Sequence, residues 1–268
     1  MKVGPYFLLV GLVSANSLDH GIFDWVNSFD GGYVNPRMEM RREFPDDETS
    51  IIGVFATETI EEGQLLVRVP WENTITGFPV ELEDYETDED YERALLLSKC
   101  ETIRKLSHEM KLGNSSEYAP YINYLNDQPA GQLPEWWSEE GKELLKTVLG
   151  WSQNDNVSEL PPKYSFHWLD QIHEEWCGFS MDDEITKKAA MLVMQRADDD
   201  TLIPAYDSLN HRNGKEHHNA RIEYKRGKGN SHRLYASQRI EKGQQLHISY
   251  NFCDMCGNRY HSYGTPGK

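Results

Sequence analysis

The sequence lacks several features that would assign it quickly to a class. Within its 268 residues no apolar run approaches the roughly 20 residues that a helix needs to cross a bilayer. Basic residues are few, 27 Lys and Arg against 44 Asp and Glu, and the net charge of −17 disfavours binding to a polyphosphate backbone. The four cysteines are too few for a disulfide scaffold in so long a chain. We therefore expect a globular protein with no membrane span and no nucleic-acid partner.

Common catalytic and metal-binding signatures are also missing. No GxGxxG, Walker, HExxH or GxSxG motif occurs. Cys253 and Cys256 form a CxxC, but a zinc site needs four ligands and would have to recruit Cys177 or a histidine. His217 and His218 are adjacent in a stretch rich in Asn, Gly and Lys, which is typical of a solvated loop. We therefore expect no metal site and interpret the CxxC as structural or incidental.

The start of the chain has the pattern of a targeting segment. In residues 1–15 Lys2 precedes an apolar stretch from Tyr6 to Val13, and small residues follow. This order predicts a signal for the secretory pathway, or for a plastid reached through it. The alternative is a short buried element in a cytoplasmic protein. Glycosylation sequons at Asn114 and Asn156 are about as many as chance provides, so they add no support.

Hydrophobic periodicity predicts strands, then helices, then strands again. The predicted strands cover 51–56, 65–69, 220–225, 233–236 and 246–250, and the predicted helices cover 91–112, 138–150 and 181–196. An acidic run over 81–92 suits a solvated loop or the first turn of a helix. This order favours an α+β domain with a helical insert at about 80–195.

Four stretches of the sequence resemble, in this order, a known family. They are Gly53-Val54-Phe55-Ala56 with the following strand, Tyr118-Ala119-Pro120-Tyr121-Ile122 with 133–140, Leu202 to His211, and 240–264. Together they are similar to SET-domain protein methyltransferases, in the branch of the Rubisco large-subunit lysine methyltransferase and the actin-histidine methyltransferase. The resemblance spans about residues 20–264. It implies a β-rich fold of small sheets with a knot-like C-terminal crossing, and S-adenosylmethionine as cofactor.

The resemblance also implies site residues. The glycine turn that approaches the cofactor corresponds to Gly53 and Val54, and a residue without Cβ suits such an approach. The family's Asn-His pair matches Asn210 and His211. Further cofactor contacts match the residues Asp207 and Arg196. Taken alone, each of these residues could serve a hairpin, a surface turn or a helix end.

The catalytic residue implied by the family is Tyr250, whose hydroxyl would orient the incoming amine. Tyr206 would line the substrate channel. The sequence departs from the family pattern at Asn251, where Gly is usual, and the family's C-terminal substrate-binding domain is not found in it. We expect a SET domain over 16–264, a short tail over 265–268, and methyl transfer to a lysine, or alternatively a histidine, of a protein substrate. The competing hypothesis is a SET-fold module that binds a protein without methylating it.

Overall fold

The computed structural model describes residues 21–48, 50–80, 84, 86–128, 138–148, 177–180, 182–198, 200–212, 217–223, 225 and 227–249. Within these residues the α-helices are α1 (Ile22–Asn27), α2 (Asp88–Leu112), α3 (Ala119–Asn126), α4 (Glu139–Val148) and α5 (Glu184–Arg196). The strands are β1 (Tyr33–Val34), β2 (Met38–Arg42), β3 (Ile52–Ala56), β4 (Leu65–Pro70), β5 (Ile75–Thr76), β6 (Thr201–Leu202), β7 (Asn210–His211), β8 (Ala220–Glu223), β9 (Ser231–Ala236) and β10 (His247–Ile248). Short 3-10 turns occur at Trp71–Asn73 and Gly113–Ser115.

The strands form several small sheets. One sheet has the order β1-β4-β9-β8 with antiparallel neighbours, and β2–β3 and β5–β6 are antiparallel pairs. The pair β7–β10 is parallel. Because β5 pairs with β6, the chain leaves the sheets after β5 and returns at β6, and α2 to α5 lie between them in sequence. We call residues 88–196 the helical region, and residues 33–76 with 201–248 the strand region.

The strand β3 lies between two partners. On one edge it pairs with β2, so that Gly53 is opposite Arg41. On the other edge it bonds to the late segment 244–246. Leu246 N donates to Val54 O at 2.8 Å, and Ala56 N donates to Gln244 O at 2.9 Å. The C-terminal part of the described chain therefore runs directly beside the first glycine motif.

Side-chain caps define where the two long helices α2 and α5 begin. Thr87 Oγ1 accepts a hydrogen bond from Asp90 N at 3.1 Å at the start of α2. Asp183 Oδ1 accepts from Ile185 N and Thr186 N at the start of α5, each at 3.2 Å. Hydrogen bonds from Lys111 and Thr186 lower the pKa of Asp183 to about 2. The caps explain why α2 begins three residues earlier, and α5 three residues later, than periodicity alone predicts.

A disulfide joins Cys100 of α2 to Cys177, which precedes α5, with the two Cα atoms 5.3 Å apart. Both cysteines are buried, in a small cluster with Met191 and Met194 of α5 and with Phe179 packed against it. Cys177 is therefore not available to a metal site with the CxxC. Periodicity could not reveal this bond, because the two cysteines are 77 residues apart in sequence.

The main core is shared by both regions. Its members include residues of β3, β4, β6, β9, α2, α3 and α5, among them the buried residues Val54, Leu66, Ile103, Tyr121, Ile122, Leu192, Leu202 and Leu234. The structure confirms the strand, helix, strand order and α+β class. Periodicity did not predict α1, α3 or the short strands β1, β2, β5, β6 and β7, because two to eight residues give too little of it. Among the described residues, no helix is both long and apolar enough to cross a membrane.

Candidate functional site

The predicted glycine motif and the predicted Asn-His motif meet in space. A Cβ on Gly53 would lie 2.9 Å from Asn210 Nδ2 and still closer to the side-chain amide of Gln245. Cβ atoms essentially never approach other atoms that closely, so a side chain at this position would have to displace the amide groups of Gln245 and Asn210. Asn210 Nδ2 donates to Ile52 O at 2.9 Å. The sequence predicted that Gly53 allows close approach of the cofactor. In the structure its lack of a Cβ also makes room for the side-chain amides of Asn210 and Gln245.

The parallel pair β7–β10 holds the Asn-His motif against the end of the described chain. Asn210 is opposite His247, and His211 is opposite Ile248. His211 Nδ1 lies 3.3 Å from Ile248 O. Tyr250 lies two residues beyond β10, outside the described residues, so its catalytic role and the further course of the C-terminal crossing stay predictions.

Asn219 holds residues 245–247, where the chain enters β10. It is buried, its Oδ1 accepts from His247 N at 2.8 Å, and its Nδ2 donates to Gln245 O at 2.8 Å. Burial and the charge of Arg212 lower the pKa of His247. Asn219 thus positions the segment that bonds to β3 at residues 244–246 and to β7 at residues 247–248.

The amide of Asn210 keeps an acceptor available. Its Nδ2 is used by Ile52 O, whereas its Oδ1 has no hydrogen-bond partner within the described part of the chain. The residue is only partly buried. An amide oxygen held in a fixed orientation can accept a hydrogen bond from an ammonium group of a ligand. Val54, by contrast, is fully buried in the core, and its carbonyl is taken by Leu246 N.

Arg196, the last residue of α5, is held by three other residues. Its Nη1 donates to Tyr124 Oη and to Asp207 O, both at 3.1 Å, and its Nη2 donates to Gln128 Oε1. Nη1 also lies 4.0 Å from Asp207 Oδ2, and the exposed fraction of the Arg196 side chain is 13%. The guanidinium therefore ties α3 and α5 to the loop that precedes Asn210.

The pKa of the Asp207 carboxyl group is raised above its ordinary value. Its side chain is fully buried, and Tyr121 Oη donates to Oδ2 at 2.7 Å, while Oδ1 has no hydrogen-bond partner among the described residues. Burial raises the pKa of Asp207 to about 6, although the Arg196 charge and the Tyr121 hydrogen bond both oppose the increase. Burial together with the nearby Asp207 charge raises the pKa of the Tyr121 hydroxyl well above its ordinary value. Perturbed groups of this kind are concentrated at functional sites.

The loop between β6 and β7, residues 203–209, contains Asp207 of one cluster and leads directly to Asn210 of the other. Tyr206 is 6% exposed and belongs to the main core, so its predicted place along the substrate channel stays a prediction. The preceding Ala205 is fully buried and has φ 64°, a conformation that is costly for a residue with Cβ. Ser208 Oγ donates to Ala205 O at 2.6 Å and helps to hold it. Local strain is thus maintained two residues before Asp207.

Several residues of this arrangement were not predicted. They are Tyr121, Tyr124, Gln128, Asn219 and Gln245. The two tyrosines lie in or near a stretch that supported the resemblance, but partners about 70 to 90 residues away cannot be read from spacing. Among the residues that the structure describes, no group of three His, Cys, Asp or Glu side chains is placed to hold a metal ion.

The fold and these two clusters define a protein class, and comparison with known proteins agrees. The family model described as SET domain matches residues 52–251, which is most of the chain. The chain belongs to the SET-domain family. Among curated protein sequences, none matches this chain.

Solved structures with the same fold include those of Rubisco LSMT and its SET domain. The complex of Rubisco LSMT with AdoMet has 14% identity and a TM-score of 0.53, and the match covers 88% of this chain and 53% of that one. The SET domain of LSMT bound to lysine and AdoHcy has 13% identity and a TM-score of 0.55, with 88% and 54% covered. Rubisco LSMT bound to sinefungin and monomethyllysine has 16% identity and a TM-score of 0.55, with 88% and 53% covered. This chain therefore spans about half the length of the structures it matches.

Proposed function

We propose that this chain is an S-adenosylmethionine-dependent protein methyltransferase that acts on a lysine side chain. The observation that carries the proposal is the cluster in which Gly53, Asn210 and Gln245 meet between β3 and β7, within the residues that match the SET domain. The fold it shares with structures that contain AdoMet, AdoHcy, lysine or monomethyllysine supports the same assignment. We further propose that the SET domain covers 16–264, with the helical insert at about 80–195.

The residues of the cluster fit the cofactor. S-adenosylmethionine supplies, when bound, an activated methyl group on a sulfonium sulfur. Its ammonium group needs an acceptor, and Asn210 Oδ1 is one whose amide orientation is already fixed by Ile52 O. Gly53 would approach it with backbone, and Val54, buried and bonded to Leu246 N, would support Gly53 from the core. His211 would flank the cofactor, and Arg196 with Asp207 would hold the loop that leads to Asn210. Asn210 is thus the residue on which we expect affinity to depend most.

The substrate nitrogen has to be neutral to attack a methyl group. An ordinary lysine is protonated at neutral pH, so a desolvated environment or a nearby cation must lower its pKa. We propose that the Tyr250 hydroxyl orients this amine and that Tyr206 contributes an apolar wall. The net charge of −17 favours encounter with a basic protein surface, which suits a lysine acceptor better than a histidine.

A second candidate is a SET-fold module that binds a protein but does not methylate it. One observation favours it: Arg196 is already hydrogen-bonded to Tyr124, Gln128 and Asp207. An arginine whose two Nη groups are bonded in this way serves packing between α3 and α5 as well as it would serve a cofactor site. The departure from the family at Asn251 points in the same direction.

Methyl transfer distinguishes the two candidates. The chain is incubated with S-adenosylmethionine carrying a labelled methyl group and a mixture of basic proteins, and the labelled amino acid is identified after acid hydrolysis. We expect methylated lysine, and at least a hundredfold loss of label in Tyr250→Phe, because the amine then loses its orienting group. Tyr33→Phe is the matched control. Micromolar cofactor binding without any labelled protein would favour the binding module.

A further inference from the structure

One glycosylation sequon lies on an exposed turn of the described chain. Asn114, Ser115 and Ser116 follow α2, and both Asn114 and Ser115 are exposed in the 3-10 turn Gly113–Ser115. The turn begins at Gly113, whose φ of 55° ends the helix. Chance alone explains a sequon in a sequence, but it does not require the asparagine to lie on an open surface turn. Such a position can accommodate an N-linked glycan once the chain has folded.

The acceptor nitrogen of Asn114 has room. Asn114 Oδ1 accepts from Asn123 Nδ2 at 3.4 Å, and Asn114 Nδ2 makes no hydrogen bond to any residue that the structure describes. Asn123 is on the outward side of α3, because it is partly exposed whereas Tyr121, Ile122, Tyr124 and Leu125 on the rest of the helix surface are buried. A group attached at Asn114 would therefore extend from the outer surface of α3 and would leave the Tyr121–Asp207 contact undisturbed.

The disulfide is an independent sign of the compartment in which the modification occurs. Structural disulfides persist in oxidising compartments and are rare in the cytosol, where thiols are kept reduced. The bond between Cys100 and Cys177 is buried within the packing of α2 against α5, so it belongs to the folded core of the helical region. Residues 1–15 have the order of charge, apolar stretch and small residues that directs a chain to such a compartment.

We propose that Asn114 carries an N-linked glycan, attached as the chain enters the secretory pathway. In this step the Asn114 amide nitrogen forms a bond to the anomeric carbon of a lipid-pyrophosphate-linked oligosaccharide. The bond from that carbon to the phosphate oxygen breaks, the lipid pyrophosphate leaves with the electron pair, and one amide proton passes to a base of the host glycosyltransferase. The thiols of Cys100 and Cys177 lose two protons and two electrons to a disulfide-carrying oxidoreductase of the same compartment.

Ser116 takes part before folding rather than after it. In the folded protein its hydroxyl donates to Glu109 Oε2 at 2.7 Å and accepts from Tyr118 N at 2.9 Å, and the residue is buried. The sequon is therefore read while this segment is still open, and the hydroxyl then becomes part of the turn that leads into α3. This inference does not depend on methyltransferase activity, because a SET module without activity would carry the same glycan.

The test uses the full chain expressed in eukaryotic cells. We expect the purified protein to lose mass on treatment with a peptide N-glycosidase, and the peptide that contains residue 114 to carry the glycan. Asn114→Gln should lack the mass of this glycan. Asn123→Gln, which alters the neighbouring amide without touching the sequon, should keep it, and Asn156→Gln separates the second sequon. Because Cys100 is buried, alkylation in denaturant, with and without reductant and read at Cys100, reports whether the same molecules reached an oxidising compartment.

Two results would overturn the proposal. Equal mass in the wild type and Asn114→Gln, with Cys100 protected from alkylation until reduction, would mean that the chain entered the compartment and the turn was not used. Equal mass with Cys100 freely alkylated would mean that the chain never entered it. A glycan found at Asn114 together with a protected Cys100 supports the proposal in full.

Discussion

The strand region and the helical region are stabilised in different ways. In the strand region, backbone pairing brings distant segments together, as where β3 bonds to 244–246 and β7 lies parallel to β10. In the helical region, side chains do this work. A disulfide links α2 to the segment before α5, Lys111 binds Asp183 at 2.6 Å, and Ser107 Oγ lies 2.7 Å from Thr186 Oγ1. The candidate site lies in the first region, and its support comes from the second.

This contrast suggests a division of roles. In the strand region, β3 and β7 come close together because Gly53 has no side chain and because the Asn210 amide is held by Ile52 O. The helical region contributes Tyr121, Tyr124 and Arg196, which reach the loop before Asn210 without belonging to it. Changes in the helical region should therefore alter mainly stability, and changes in the strand region should alter mainly binding.

The largest expected effect is on the helical region alone. Replacing both Cys100 and Cys177 with Ser should lower the free energy of unfolding by about 4 kcal/mol, because the bond closes a long loop in the unfolded chain. Urea unfolding measures the change. The matched control is the wild type with reductant, which should reach the same stability, whereas reductant should leave the variant unchanged. An unaltered midpoint in the variant would show that the helices need no covalent link.

The pH dependence of stability tests the junction between the regions. Because the pKa of Asp207 is raised to about 6 from an ordinary 3.8, the folded state keeps a proton that the unfolded state loses between those values. This group's contribution is therefore greatest below about pH 4 and declines as the pH rises through 6, by about 3 kcal/mol in all. Asp207→Asn should remove that decline.

Urea unfolding at several pH values between 4 and 7 gives the comparison. The exposed Asp30→Asn serves as the control and should keep the slope of the wild type. If Asp207→Asn and the wild type have parallel profiles, then Asp207 is ionised throughout this range in the folded protein.

Tyr121→Phe removes a donor from the same buried carboxyl. The loss should cost about 2 kcal/mol, since Asp207 Oδ2 would be left without its hydrogen bond in a site closed to water. The pKa of Asp207 should increase further, because the Tyr121 hydrogen bond lowers it in the wild type. Tyr33→Phe, half-exposed in β1, should change stability little. An equal effect of the two substitutions would contradict a specific Tyr121–Asp207 contact.

A substitution in the strand region, Gly53→Ala, should have the smallest effect on stability. Its effect on the binding of S-adenosylmethionine should be larger. Gly53→Ala places a methyl group against Gln245 and Asn210, and the displaced amides should cost about 1 kcal/mol. Affinity for S-adenosylmethionine should fall about tenfold, equivalent to 1.4 kcal/mol, because Asn210 loses its fixed orientation. Adding Gln245→Ala to Gly53→Ala makes room and should recover part of the affinity. A double variant no better than the single one would exclude the steric explanation.

The two regions also differ in how far the sequence predicts them. Short motifs identify the strand region, because Gly53 and the Asn210-His211 pair each lie within a few residues of a recognisable turn or strand. The helices α2 and α5 follow from apolar spacing, apart from their first turns, which Thr87 and Asp183 determine. The Cys100–Cys177 bond and the Tyr121–Asp207 contact join residues 77 and 86 positions apart, and no local pattern encodes such pairs.

The most direct test of the central claim is calorimetric titration of the folded chain with S-adenosylmethionine, with Asn210→Ala and Tyr250→Phe titrated alongside and the exposed Asn126→Ala as control. We expect micromolar binding by the wild type, Tyr250→Phe and Asn126→Ala, and at least a tenfold loss in Asn210→Ala. Absence of binding to well-folded wild-type protein would contradict the methyltransferase assignment.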